Sequence, residues 1–321
     1  MPQLITHNIF ASEVYSKLNS DIKNSIKNDF DIYKMYAQSF DYFYYSFSKK
    51  WRKIGNRSHK KNVRKYFMNI INNIIDMNLE NNSQALSYLY GSITHYILDS
   101  TCHPLVFYKT GVYSKNDKRN TKKYMGLHGD FETNVDAFYY INTFKKSFHK
   151  VNTSKEFIPK IHPSDELRNL MNKTFLKTFN ITNAFSKYYS SYKHARWMYP
   201  LFINDKHGIK KKIYKIYDKI VFFRNNNYEY YSTYIKQPNF NYLNIKHKKW
   251  CYPSDKSITS TESFIDLYDK SINKASSLIT LAHQVLKKEK DIEEFEKKIG
   301  NLSYVRGLDC DNSKYMKYFE F

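Results

Sequence analysis

Residues 95–103, HYILDSTCH, set His95, Asp99 and His103 four positions apart inside an otherwise apolar run. On an α-helix such residues stand one above another, about 6 Å apart along the axis, so neighbouring members of the row can reach a single ion. The two histidines at its ends are about 12 Å apart along that axis, too far to share one zinc whose ligands lie at roughly 2 Å. The row therefore predicts two metals with the carboxylate of Asp99 between them, one oxygen for each. A hydrogen-bonded His95–Asp99 pair closing a core is the plainer reading, but it leaves His103, on the same row, without a role.

Outward from this row the sequence reads as helix. The segment from Ser83 to about His103 carries Leu86, Leu89, Ile93, Tyr96 and Ile97 at helical spacing, and Pro104 is expected to end it, because proline disfavours helix in the residue before it. NVRKYFMNIINNIIDMN, residues 62–78, places Val63, Phe67, Ile70, Ile71, Ile74 and Ile75 on one stripe. Shorter helices are predicted over 8–18 and from about Leu127, and 165–223 is mostly helical in pattern. Residues 225–256, with Pro238 and Pro253, read as irregular, and a last helix starts from a Ser/Thr-rich cap near Thr261. Only 8 Gly and 7 Pro argue against a turn-dense β design. With no internal repeat and no long linker, the expectation is one all-α, multi-helix bundle domain over 1–321. Its metal-site half would be about 1–150, its supporting helices about 151–300, and 301–321 a short C-terminal tail.

A second pair at the same spacing is His128 and Glu132 in GLHGDFETNVDAF. Spacing alone is weak, since a chain with 11 His and 30 acids gives about one such pair by chance. His162 and Glu166 are read as that chance pair, because Pro163 breaks the geometry. His95 and Asp99 differ in setting, among Ile93, Tyr96, Ile97 and Leu98, where an unpaired carboxylate is costly. His7, Asp41 in SFDYFYYSF and His59 in SHKKN count only in combination. Taken alone, Asp41 reads as a helix cap and His59 as a surface residue.

THNIFASEV, AQSFDYFYY, GNRSHKKN, HYILDSTCHP and GLHGDFETNVD occur in order along the chain, and KKWCYPSDKSITSTESFIDLY extends the set. In that order and register the sequence resembles the bacterial zinc-dependent phospholipase C family. The resemblance implies an all-helical bundle with up to three zinc ions at one end of the helices, hydrolysing phosphodiesters. Phospholipids are that family's best-known substrates, and a related branch, the fungal single-strand-specific nucleases, uses the scaffold on nucleic acid. Carried over by matched motif, Asp41, His59, His95 and Asp99 would form one zinc site, Asp99 would bridge to a second ion held by His7, and His103, His128 and Glu132 would hold a third. Asp41 would also orient the attacking water or accept its proton. Such nitrogen and oxygen ligand sets suit catalytic rather than structural zinc.

The chain departs from the family in three places. Secreted members use the mature N-terminal amine as a ligand, whereas here His7 lies close to Met1, and removal of Met1 would expose the Pro2 amine. The family's Gly-Pro before the aspartate is Ser39-Phe40, which is expected to displace Asp41. His103 follows the bridging aspartate by four residues, rather than six behind a Pro-Met pair.

Fifty-two Lys and Arg against 30 acids give a net charge of +22, suited to nucleic acid, an anionic membrane or a phosphorylated substrate, although part of it reads as solvated surface. The loop YSKNDKRNTKKY would place Lys115, Lys118, Arg119, Lys122 and Lys123 near the site's rim. KKWRK (49–53) and KHKKW (246–250) combine Trp with cations, as lipid headgroups or stacked bases require. Cys102, Cys251 and Cys310 suggest no disulfide framework, and Cys102 reads as a buried structural thiol. Neither a signal peptide nor a membrane span is apparent, so a cytoplasmic protein is expected. The expected function is a phospholipase C-like phosphodiesterase with two or three Zn2+. The alternatives are a single-strand nucleic-acid hydrolase on the same site, or a non-catalytic basic helical protein with a degenerate metal site.

Overall fold

The computed structural model describes residues 4–112, 124, 126–220, 228–312 and 314–320. Helices dominate: α1 (Leu4–Lys17), α2 (Ser20–Ile26), α3 (Phe30–Tyr36), α4 (Lys49–Ser58), α5 (Val63–Asp76), α6 (Ser83–Thr110) and α7 (Leu127–Phe144) come first. The second half carries α8 (Thr153–Glu156), α9 (Asp165–Phe179), α10 (Ala184–Met198), α11 (Ile209–Ile220), α12 (Phe264–Leu286) and α13 (Ile292–Ile299). The fold is all-α, as the sequence predicts. From the end of the stretch expected to be irregular, a hairpin of β1 (Trp250–Tyr252) and β2 (Asp255–Ser260) runs on to residue 260 and pairs Trp250 with Ser260 and Cys251 with Thr259.

Local signals start the helices. Asn82 accepts from the Ala85 N–H at the head of α6, Ser164 from Leu167 at α9, and Ser263 with Asp266 forms a reciprocal capping box at α12. These caps satisfy N–H groups that a helix start leaves orphaned.

α6 is the axis of the molecule. It is buried on nearly every side and packs against α1, α2, α3, α7, α9 and α12. Gly91 sets its approach to α3: a Cβ there would stand 2.4 Å from Tyr33 O and 2.9 Å from Tyr36 Cβ. The predicted end at His103 is wrong, because α6 continues through Pro104 to Thr110. Pro104 gives Ser100 O no N–H, and the backbone of Gly307 occupies that spot, where a Cβ would lie 2.7 Å from Ser100 O and 2.6 Å from Pro104 Cγ. Burial of Pro104, Leu105 and Val106 on the next turn offsets the interruption, which costs about 3 kcal/mol in an exposed helix.

The core is rich in tyrosine, with Tyr33, Tyr36, Tyr66, Tyr88 and Tyr188 among its largest fully buried side chains. Several hydroxyls are paired: Tyr66 with Tyr88 at 2.9 Å, and Tyr33 donating to Ala11 O at 2.9 Å. Rings of this kind fill the interior while many of their polar tips find partners. None of the described helices is long and apolar enough to cross a membrane. The three cysteines are free, with Cys102 buried.

Candidate metal centre

All eight predicted residues come together in the structure. His95, Asp99 and His103 project from one side of α6, His128 and Glu132 from the first turns of α7, and His7 from α1. Asp41 sits on a 3-10 turn, Ser39–Tyr45, and His59 caps the C-terminal end of α4. The expected displacement of Asp41 does not separate it from His59, whose Nε2 lies 3.1 Å from Asp41 Oδ1. Ser39 adopts a φ of 33°, a left-handed value that glycine takes more readily.

The ligand atoms form three groups, each within 4.8 Å: His7, His95 and Asp99; Asp41, His59 and His95; and His103, His128 and Glu132. Asp99 reaches His7 Nε2 with Oδ1 at 3.1 Å, and His95 Nε2 and His103 Nδ1 with Oδ2 at 3.4 and 3.7 Å. His59 Nε2 is 3.3 Å from His95 Nε2, and Glu132 Oε1 is 2.9 Å from His128 Nε2 and 3.6 Å from His103 Nε2. Ligands about 2.1 Å from a tetrahedral ion stand roughly 3.4 Å apart, so these separations suit a zinc shell. His95 is common to two groups, which departs from the expected set in that Asp99 groups with His7 and His95 rather than with Asp41 and His59.

Hydrogen bonds fix which ring nitrogen faces the cluster. A carbonyl only accepts, so His59 Nδ1 donates to Gly55 O at 2.7 Å and His103 Nδ1 donates to Tyr304 O at 2.7 Å. The Nε2 of each then points toward the carboxylates. Despite its unusual spacing, His103 turns its Nε2 toward Glu132.

Burial pushes the carboxyls upward, but neighbours win. His103, His95 and His7 hold Asp99 far below the usual range, His59 and His95 lower Asp41, and His128 and His103 lower Glu132. Burial drives His95 down to about 3 against the pull of Asp99 and Asp41, so it is neutral at physiological pH. Burial also opposes a charge on His103, yet Asp99 and Glu132 hold its pKa up at about 9. The cluster is thus a concentration of anionic oxygen and lone-pair nitrogen in a buried setting, an arrangement that a divalent cation stabilises.

Two residues that shape the site were not legible as such. Asp136 on α7 accepts from Ile5 N, Thr6 N and Thr6 Oγ1 at 3.3, 2.8 and 2.6 Å, and so anchors the first turn of α1 beside His7. Burial, against those bonds, raises its pKa to about 7. Its signal was the third step of the His128–Glu132 row, four residues on. Tyr304 is fully buried; its N–H donates to His59 O at 3.0 Å and its carbonyl holds His103. The tail is therefore a wall of the site, and Ser303 Oγ also donates to His59 O, at 3.3 Å.

A cavity of about 140 Å³ opens over the cluster, lined also by Tyr44, Asn56, Lys60, Phe107 and Val305. The basic loop with Lys115, Lys118, Arg119, Lys122 and Lys123 lies outside the described residues, as do residues 1–3. The tryptophans of the two cation-rich stretches do not face solvent. Trp51 stacks on Phe43 and Trp250 on Tyr252, and both are buried.

The sequence model of the zinc dependent phospholipase C family matches residues 6–199, more than half of the chain and all eight clustered residues. The chain belongs to this family. The match ends at Tyr199, before α11 and before Tyr304. No curated protein and no solved structure matches the chain.

Proposed function

We propose that the chain is a zinc-dependent phosphodiesterase of phospholipase C type, acting on a phospholipid or a related phosphodiester. The observation that carries this is the convergence of three His/carboxylate groups on one cavity, in a chain of the zinc-dependent phospholipase C family. Asp41, His59 and His95 would hold one ion, His7 and Asp99 a second, and His103, His128 and Glu132 a third. Zinc in such a setting supplies a Lewis acid for phosphoryl oxygen and brings the pKa of water near 7.

The chain's own groups do the rest. Asp41 Oδ2 accepts from Gln38 Nε2 at 2.8 Å, which fixes a carboxylate kept anionic at the cavity wall, placed to accept a proton from the attacking water. Burial and the nearby carboxylates push the Tyr44 phenol well up, so it stays protonated and can donate to a phosphate oxygen. Lys60 and Asn56 line the same cavity and add a cation and an amide for the anionic substrate. Phe107 and Val305 add apolar lining to the cavity.

The test is zinc content measured together with hydrolysis of phosphatidylcholine and of a soluble nitrophenyl phosphocholine ester. Zinc-dependent turnover of either substrate is expected. Zinc-supplied protein inactive on both overturns the reading, and release of nucleotides from single-stranded nucleic acid instead would transfer the same site to a different substrate.

A further inference from the structure

α11 is built inside out. Its sequence, IKKKIYKIYDKI, spaces Ile209, Ile213, Ile216 and Ile220 at four, three and four residues, which at 100° per residue confines them to an arc of roughly 60°. In a globular helix such a stripe faces the core. Here the four side chains are 60, 56, 60 and 68% exposed.

The opposite, polar side is the one that holds the helix. Asp218 Oδ2 accepts from Glu229 N at 3.1 Å, Lys211 N donates to Asp205 Oδ2 at 2.8 Å, and Tyr214 OH donates to Phe202 O at 2.8 Å. Twelve residues are too few for a stable isolated helix, so these tethers fix its rotation and keep the isoleucines outward. Lys212, Lys215 and Lys219 are exposed on the flank, whereas the helix's single acid, Asp218, is turned inward.

We propose that α11 is an interfacial anchor that seats the protein on an anionic phospholipid bilayer. An apolar stripe bordered by lysines, with no outward carboxylate, is complementary to a surface with an acyl interior and negative headgroups. A protein groove would have to match the cations with acids of its own. The end of α10 and the turn after it add aromatic area of the kind that favours the headgroup level: Trp197 and Phe202 are 40 and 48% exposed, with ring centroids 6.2 Å apart.

The anchor is one layer from the metal centre. α11 packs on the turn 228–231, and that turn packs on α7. Tyr230 O accepts from Thr133 Oγ1 at 3.0 Å, and a Cβ at Gly129 would lie 3.1 Å from Tyr231 Cε1, next to His128. Docking would thus bring the cavity close to the lipid surface, a consequence that rests on the phosphodiesterase reading, although binding itself does not.

The experiment is co-sedimentation of the full chain with vesicles of phosphatidylcholine alone and of phosphatidylcholine with phosphatidylserine. Preferential binding to the anionic vesicles is expected. The double substitution I213E/I216E should lower the partition coefficient roughly tenfold or more, and K212E/K219E should remove most of the salt-sensitive part. Both variants should keep the wild-type circular dichroism, zinc content and rate on the soluble phosphocholine ester. Absence of wild-type binding to anionic vesicles overturns the proposal, as does undiminished binding by I213E/I216E. A wild-type dimer that this variant converts to monomer, with vesicle binding unchanged, also overturns it and assigns the face to a second copy. Loss of turnover on the soluble ester by the wild type would sink the phosphodiesterase reading and leave the anchor to be decided by the vesicles.

Discussion

His103 provides a quantitative test of the site's electrostatics that needs no substrate. Although burial disfavours its charge, Asp99 and Glu132 hold its pKa at about 9, against an ordinary 6.5. The folded state therefore binds this proton more tightly than the unfolded chain does. The resulting stabilisation is fully present below pH 6.5 and is lost as the pH rises through 9. At about 1.4 kcal/mol per pH unit the gap corresponds to about 3 kcal/mol, a large share of a typical domain's stability. The assay is urea unfolding of zinc-stripped protein at intervals from pH 6 to 10, compared with His103→Gln. The wild type should lose about 3 kcal/mol across the window relative to the variant, whose profile lacks this component. Parallel profiles for the two proteins would refute the reasoning. Because one proton on Nδ1 serves Tyr304 O, the second must leave Nε2 before that nitrogen can bind a metal. Zinc affinity should accordingly rise with pH over the same window.

Other outcomes follow from the same contacts. Asp41→Asn should lower kcat on the soluble ester about 10²–10⁴-fold, measured at saturating zinc, because it removes the proton acceptor. Asp99→Ala leaves His7, His95 and His103 without their shared carboxylate. Zinc content by mass spectrometry should fall by at least one ion, and the pKa of His103, followed by NMR, should drop. Tyr304→Ala opens a void against Phe40, His59, His95 and Tyr96, costing about 3–5 kcal/mol in urea unfolding. Tyr304→Phe should cost nothing, since the buried hydroxyl has no hydrogen-bond partner among the described residues. Gly91→Ala should lower stability by about 2 kcal/mol or more, because backbone at Tyr33 cannot yield to the new methyl.

The sequence shows contacts made within one helix far better than contacts between helices. The His95–Asp99–His103 row and the His128–Glu132 pair were visible because helical period alone aligns them. His7, Asp41 and His59 lie on three other segments, and only the ordered motifs of a family bring them in. Tyr304 acts through its carbonyl and amide, groups that every residue but proline carries, so no side-chain pattern could announce it. Pro104 obeys its local rule until Gly307 packs over the gap it leaves. Lysines beside Trp51 and Trp250 suggested exposure, but the rings turn inward while their charged neighbours stay wet. α11 shows the opposite mismatch: its period was legible, but the direction in which the stripe points is set by tethers from residues up to twelve positions away.

The candidate metal centre draws on segments far apart in the sequence, His7 in α1 and Tyr304 beyond α13. A ribosome delivers these in order, so a growing chain already displaying His95, Asp99 and His103 still lacks the clasp that orients His59 and His103. Orientation of those two rings is therefore deferred until residue 304 has emerged, and an incomplete chain would carry the candidate ligands without the backbone partners that aim them.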